Sequence, residues 1–578
     1  MGPPYRMSST KLLYQHYWEE MLVIITQSWR KPATLLGAAI IAGSGIITGA
    51  APRHTAHAAP AIPNGGTVIV SEAQIQGTLN PLQNQELSTA DIASAVFDSW
   101  VYQLPNGAYA NDLATGYSHD ASGLHWKFLL NHNAKWQDGV PLTAADFVYT
   151  ANLINTPSFG ATSTTGFDHI KSVKAVGKYE VDYTLTSVYA PFLSNVGPAF
   201  VLPQHILGKM KPDQIKNDTS YNKMPLGSGP FKITQYASGD HVTLTANKSY
   251  FRGAPHLDQI IFRIVPNNNT AINQIQTGEI NLIGQTSSLS ARQFNLLKRF
   301  PTVKTYNTAG SNWSHFDLIE AGFLTDRTVR QALAYATPKQ QIINQVALGY
   351  GTIADADQAP GSKYYNSNVK DSYPYNPARA KSMLLADGFK VGAGGVLQKG
   401  GKPLTIVLAG DTATSDTKLT VQIVKAAWAK VGINATFKLV DPSIFFGAHT
   451  GPINGDNRFS GPPTAGLYAW VTSGDPDDSY FWASNQIPSK TVTAGGNDDG
   501  YKSAEMDALL KQGITTLDDQ KRVKIYQQIQ TLLVRDQPDL FLYWGRVLTA
   551  ATPKLHGYAP QPNDFFLCWN AKDWYMTQ

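Results

Sequence analysis

Hydrophobic and polar positions change period along the chain, and the changes mark its elements. Leu124, Trp126, Phe128 and Leu130 alternate with His125, Lys127 and Leu129, a period of two that predicts a strand. Asp138-Gly139 is a turn. Thr143-Ala144-Ala145-Asp146 has capping-box spacing, and Phe147, Val148, Ala151 and Ile154 form the apolar stripe of the helix that follows. Val181, Tyr183 and Leu185 alternate again. Phe231–Tyr236 and His241–Ala246 read as a hairpin about Ser238-Gly239-Asp240, and Ile260–Val265 as a buried strand. The second half is more helical. Helices are predicted over Asp326–Ala336, from a Thr337-Pro338-Lys339-Gln340 start to Gly349, and over Asn376–Asp387, Leu419–Val431 and Lys521–Arg535. After Gly432, Ile433, Ala435, Phe437 and Leu439 return to a period of two, which is an α/β unit. The pattern predicts an α/β fold with mixed sheets and more than one lobe.

The first 58 residues follow a different logic. Arg30-Lys31 precede a weakly apolar run from Ala33 to Ala51, and Ala56-His57-Ala58 supplies a small-residue cleavage pattern. Residues 1–58 are expected to be a secretory leader, with Met21 a candidate start, and residues 59–65 a Pro/Gly-rich linker. A single membrane anchor is the alternative for the run, but its glycines make it a poor span. No second run of about 18 apolar residues follows, so the mature part is expected to be soluble and extracytoplasmic.

Composition narrows the classes. At 578 residues, the chain has room for three to five units of about 100–200 residues. Hydrophobic residues are 43%, enough for sizeable cores, while charged residues are only 15%. The net charge is +5, and the leader holds Arg6, Lys11, Arg30, Lys31 and Arg53 against Glu19 and Glu20. Without it no dense basic stripe remains, so nucleic acid is not an expected partner. The lone Cys568 excludes an internal disulfide and Cys-based zinc sites. No cysteine near the N-terminus could carry a lipid anchor. The histidines show no HExxH or HxH, Leu226 stands where G-x-S-x-G needs glycine, and no phosphate-binding glycine loop occurs. Asp475-Pro476-Asp477-Asp478 lacks calcium-loop spacing. No catalytic residue, metal or cofactor is predicted. A paired-carboxylate glycosidase stays open, because carboxylate separation is a three-dimensional quantity.

Several ordered segments resemble the family 5 extracellular solute-binding proteins, the oligopeptide/dipeptide-type receptors of bacterial ABC importers. Leu113–Ile154 is similar to the family's strand–strand–DG–T-A-x-D-helix signature, the most specific match. Leu226–Phe231 (LGSGPF), Asn247–Gly253 (NKSYFRG), Gln276–Ile280 (QTGEI) and Asp326–Ala336 (DRTVRQALAYA) resemble further family motifs in order. So do Lys430–Ile433 and the segment from Tyr501 through Asp507-Ala508-Leu509-Leu510; together these span nearly all of 66–560. The chain departs from the pattern at Asn131, where Arg is usual, and at Asp317, where Asn is usual. The loop Trp470–Asp477 resembles W-x-x-D-Y-x-D-P-D but is one residue shorter, with Ser473 in place of the Asp that pairs with a peptide's amine.

The resemblance implies a bilobal periplasmic-binding-protein-like clamp, with an extra subdomain in the first lobe and ligand enclosed between the lobes. The expected division is 66–108, 223–318 and 546–578 for the first lobe, 109–222 for its extra subdomain and 319–545 for the second lobe. It implies a receptor that delivers peptides to an ABC permease, expected as a monomer. An oligosaccharide or another small solute is the alternative cargo, and a secreted hydrolase the alternative class. The expected ligand residues each have a structural alternative. Trp470 is a flat wall or core packing. In the shortened loop either Asp475 takes the amine or the amine anchor is missing, Asp475 then being a turn residue. Thr472 and Ser473 offer strand-like pairing. Trp313, Ser314 and Asp317 sit where the chain crosses between lobes, Asp317 facing the cleft or bonding at the hinge. Gln76 lies in the first cleft-lining loop. Arg330 is expected in a structural salt bridge.

Overall fold

The computed structural model describes residues 62–577 apart from 85, 105–107, 288, 413–414, 448–454, 456–457, 473, 490–491, 493–494 and 563–565. The predicted leader and Ser473 lie outside the described residues. An 11-stranded sheet runs through the molecule. Its order is Asn434–Val440, Thr405–Asp411, Thr464–Val471, Lys304–Leu318, Asp539–Ala551, Leu282–Ile283, Thr67–Glu72, Gln259–Ile264, His241–Ala246 and Phe231–Ala237, with Gly351–Ile353 also on Asp539–Ala551. Two long antiparallel strands carry the sheet from one half to the other. Lys304–Ala309 pairs with residues 546–551, Trp313–Asp317 with residues 539–544, and the register breaks between. Glycines allow that break: a Cβ on Gly545 would sit 2.4 Å from Asn312 Oδ1, and one on Gly310 would sit 2.7 Å from the Gly545 carbonyl.

Each half has its own core. Val68, Val70, Leu244, Ile260 and Trp574 anchor the first, and Phe316, Leu333, Leu408, Trp428 and Leu540 the second. A separate four-stranded sheet, Ala114–His119, His125–Leu130, Glu180–Leu185 and Ile170–Ala175, packs around Trp100, Phe128, Phe147 and Tyr183. The alternation read from residues 124–130 is seen as strict: Trp126, Phe128 and Leu130 are buried and their neighbours exposed. The predicted capping box holds, with the Thr143 N–H donating to Asp146 Oδ2 at 2.9 Å. The expected cap at Thr337 does not form. The helix there is Lys339–Gln345 with Pro338 at its N-cap, and it stops short of Gly349. Thr337 instead closes the preceding helix: its hydroxyl donates to the Leu333 carbonyl at 2.8 Å and accepts from Trp428 Nε1 at 2.9 Å. Arg330 makes the expected salt bridge, to Glu320 Oε1 at 3.2 Å. No described helix is long and apolar enough to cross a membrane.

Candidate functional site

A cavity of about 440 Å³ lies at the level of the register break, within the range of small-molecule sites. Both halves and the crossing strands contribute to it. Leu289, Ser290 and Ala291 come from one side, Asp411, Asp416, Thr417 and Phe446 from the other, and Asn312, Ser314, Tyr543 and Arg546 from the crossing strands. The placement follows from topology. Thr405–Asp411 pairs in parallel with both neighbours, and α/β sheets bind ligands beyond the carboxyl ends of parallel strands. Asp411 ends that strand, and Asp416 lies in the first turn of the helix Ser415–Ala429 that follows. Arg546 is held on the opposite wall by Asn307, with Nε to Oδ1 at 2.8 Å and Nη2 to the carbonyl at 3.2 Å. Burial, then the charge of Asp416, pushes the Tyr543 hydroxyl up to about 12, so it stays a neutral donor.

Of the residues expected from the sequence, Ser314 borders this cavity. Trp313 and Trp470 stand directly opposite one another across two strands, but they face the core. Trp313 is fully buried, 5.6 Å from Trp544 and edge-on to Phe481; Trp470 is 3% exposed and 4.6 Å from Phe481. The packing alternative holds for both, because aromatic rings on the inner face of a sheet bury most area against one another. Thr472 is buried too, its hydroxyl donating to the Ser311 carbonyl at 3.2 Å. Gln76 is exposed, its amide donating to Gln74 Oε1 at 2.9 Å, and it does not border the cavity.

Asp475 requires a correction. Its carboxylate forms a bidentate ion pair with Arg522, Nη1 to Oδ2 at 2.7 Å and Nη2 to Oδ1. It also accepts from Ser194 Oγ at 3.1 Å and from the Asp477 N–H at 3.0 Å. Arg522 donates further to the Gly513 carbonyl at 2.8 Å. Burial works against the charge on Arg522, yet Asp475 outweighs it and holds the guanidinium well above its ordinary pKa. A carboxylate balanced in this way is not waiting for a ligand's amine.

Asp317 takes its hinge alternative. Oδ1 meets His315 Nε2 at 3.0 Å, and Oδ2 accepts from the Tyr468 hydroxyl at 2.5 Å. Asp539, its register partner on the adjacent strand, brings Oδ2 to 3.7 Å from the same His315 nitrogen. Burial, then the charge of Asp317, drives the carboxyls of Asp499 and Asp539 well above the usual range. A second acidic pair, Glu72 and Asp91, is wholly buried in the first half, and burial raises both.

Sequence reasoning missed Asp411, Asp416, Tyr543 and Arg546. The readable signal was positional: a carboxylate at the end of a β-strand that feeds a helix.

The model of the bacterial extracellular solute-binding proteins, family 5 (middle region), matches residues 108–489. The chain is 28% identical over 519 residues to the oligopeptide-binding protein AppA of Bacillus subtilis (strain 168), covering 89% of this chain and 92% of that protein. It is 26% identical over 477 residues to the nickel-binding periplasmic protein of Escherichia coli (strain K12), covering 81% and 87%. The structure of B. subtilis AppA in complex with a nonapeptide superposes with a TM-score of 0.73 at 27% identity, covering 90% of this chain and 100% of that one. That likeness fixes the bilobal clamp. The chain belongs to the family 5 bacterial extracellular solute-binding proteins.

Proposed function

We propose that the protein captures peptides in the cavity at the register break and hands them to an ABC import permease. The observation that carries this reading is the charge arrangement: two carboxylates, Asp411 and Asp416, on one wall and Arg546 on the crossing strand. A zwitterionic ligand meets both signs when the lobes close. A neutral oligosaccharide brings no charge to either the acidic wall or Arg546, which disfavours it. A relative matched over 519 residues is an oligopeptide-binding protein, in line with this reading. Closure about the strands Lys304–Leu318 and Asp539–Ala551 presents the joined surface of both lobes to the permease. The lobe division set out from the sequence supplies the two jaws, and capture leaves the peptide bond intact.

Calorimetry with one peptide, free and acetylated at its N-terminus, tests this. Asp411→Asn/Asp416→Asn should weaken the free-amine peptide by about thirty-fold or more and the acetylated one by less than about threefold. Mass spectrometry should recover both peptides uncut. Equal losses for the two ligands, or cleavage products, would overturn the proposal.

A further inference from the structure

The second half of the sheet holds a side-chain cluster that peptide capture does not use. His315 Nε2, one carboxylate oxygen of Asp317 and one of Asp539 lie within 4.8 Å of one another, all on buried residues. The exposures are 0% for His315, 3% for Asp317 and 2% for Asp539. Strand register puts them there: Asp317 and Asp539 are direct partners on adjacent antiparallel strands, and His315 is two residues along the same face. Two carboxyls placed directly opposite repel one another when both are ionised.

The remaining neighbours sharpen the problem. Asp499 is 2% exposed, and its Oδ2 has no hydrogen-bond partner among the described residues. Its backbone carbonyl accepts from the Glu320 N–H at 2.8 Å, which ties its segment to the end of the strand that carries Asp317. The nearby cations have other tasks: Arg330 bonds Glu320, the Leu324 carbonyl and the Asp536 carbonyl, and Arg458 gives its Nε to the Asp498 carbonyl. The other ring nitrogen of His315, Nδ1, lies 3.4 Å from the Trp313 carbonyl. A proton on Nδ1 aims the Nε2 lone pair at two carboxylates, an orientation typical of metal-ligating histidine. Ligands bound at about 2.0–2.2 Å sit roughly 3.0–3.5 Å from one another. The observed Nε2 separations of 3.0 Å to Asp317 and 3.7 Å to Asp539 need little contraction to meet that.

We propose that His315 Nε2, Asp317 Oδ1 and Asp539 Oδ2, backed by Asp499, hold one divalent cation in the core of the second lobe. An imidazole nitrogen among carboxylates suits Zn²⁺ or Mn²⁺ better than Ca²⁺ or Mg²⁺, which prefer oxygen alone. Full burial makes the ion structural rather than transported. It staples the two crossing strands to the segment of Asp499. It also fixes Tyr468, whose hydroxyl donates to Asp317 and which borders the ligand cavity.

The test uses the whole mature chain, prepared without a polyhistidine tag. Elemental analysis should find about one equivalent of Zn²⁺ or Mn²⁺ that survives dialysis. After chelator treatment, added Zn²⁺ or Mn²⁺ should raise the unfolding temperature by about 3 °C or more, saturating near one equivalent, with Mg²⁺ and Ca²⁺ inert. Asp539→Asn and His315→Gln should lower the bound metal below about a tenth of an equivalent. Should either variant not fold, Co²⁺ loaded into the unmodified chain should show absorption bands of a nitrogen- and oxygen-ligated ion. Metal-free protein whose unfolding ignores both cations would overturn the proposal and leave a proton-sharing cluster. Stoichiometric metal retained by folded Asp539→Asn would overturn it as well.

Discussion

Replacing Asp475 with Asn should act on stability and leave ligand choice alone. Asp475 is 7% exposed and Arg522 5%. The pair shares two hydrogen bonds, and Asp475 accepts two more, from Ser194 and Asp477. Asn keeps the shape but strands a buried guanidinium. Breaking one side of a buried pair costs about 3–5 kcal/mol, most of it the uncompensated charge. Asp475→Leu/Arg522→Met removes both charges and should recover most of the loss, because the desolvation cost disappears with them. The exposed pair Lys363–Asp519, at 56% and 63%, is the control; Lys363→Ala should cost less than about 1 kcal/mol. Urea denaturation reads all three. Calorimetry on Asp475→Asn should show the free-amine and acetylated peptides changing together, within about twofold. A stability loss below about 1 kcal/mol would refute the ion-pair argument. A loss of affinity about tenfold greater for the free amine would restore Asp475 as its anchor.

Two other outcomes follow from the sequence and the buried acids. Burial, then the charge of Asp98, pushes Asp112 up to about 7 against the pull of Arg252, and burial pushes Asp357 up to about 6. A raised carboxyl pKa favours folding below the unfolded value near 4 and loses that stability as pH climbs through the folded one. The unfolding temperature should therefore fall from pH 5 to pH 8 at fixed salt, Asp112→Asn should flatten the slope, and a rise would refute the assignment. N-terminal sequencing of exported protein should begin near Ala59; an intact Met1 or Met21 on cytoplasmic protein would refute the leader.

Local patterns were legible where one face of an element is buried and the other is wet. Residues 125–130 alternate because their sheet has a solvated side, and Thr143–Asp146 caps its helix with side chains three residues apart. Thr337 was misread because the same residue type closes one helix and opens another, and only the position of Trp428 decides which. The great sheet could not be assembled from the chain order. Thr67–Glu72 lies between Gln259–Ile264 and Leu282–Ile283, and Leu282 pairs with Ala551. The sequence singles out Trp313 and Trp470 separately, but a tryptophan on a strand reads the same whether its ring meets a ligand or Phe481. Asp411 and Asp416 carry no motif, since nothing in their spacing demands a ligand.

The pairing of Asp475 also explains why its charge is out of a ligand's reach. Asp475 and Arg522 form one buried, two-point ion pair, and the division expected from the sequence assigns both residues to the segment 319–545. Two hydrogen bonds join this region to residues 190–194, Ser194 Oγ donating to Asp475 at 3.1 Å and the Ala190 N–H donating to the Ile514 carbonyl at 2.7 Å, and Ile514 also packs against the core around Trp100 and Phe128. Each such bond is worth about 1 kcal/mol net. Parting Asp475 from Arg522 would cost several times more than losing either of these bonds. A ligand would meet a carboxylate already paired with Arg522 and also accepting from Asp477 and Ser194. Under the proposed peptide capture, amine recognition is therefore assigned to the carboxylates that border the cavity, Asp411 and Asp416.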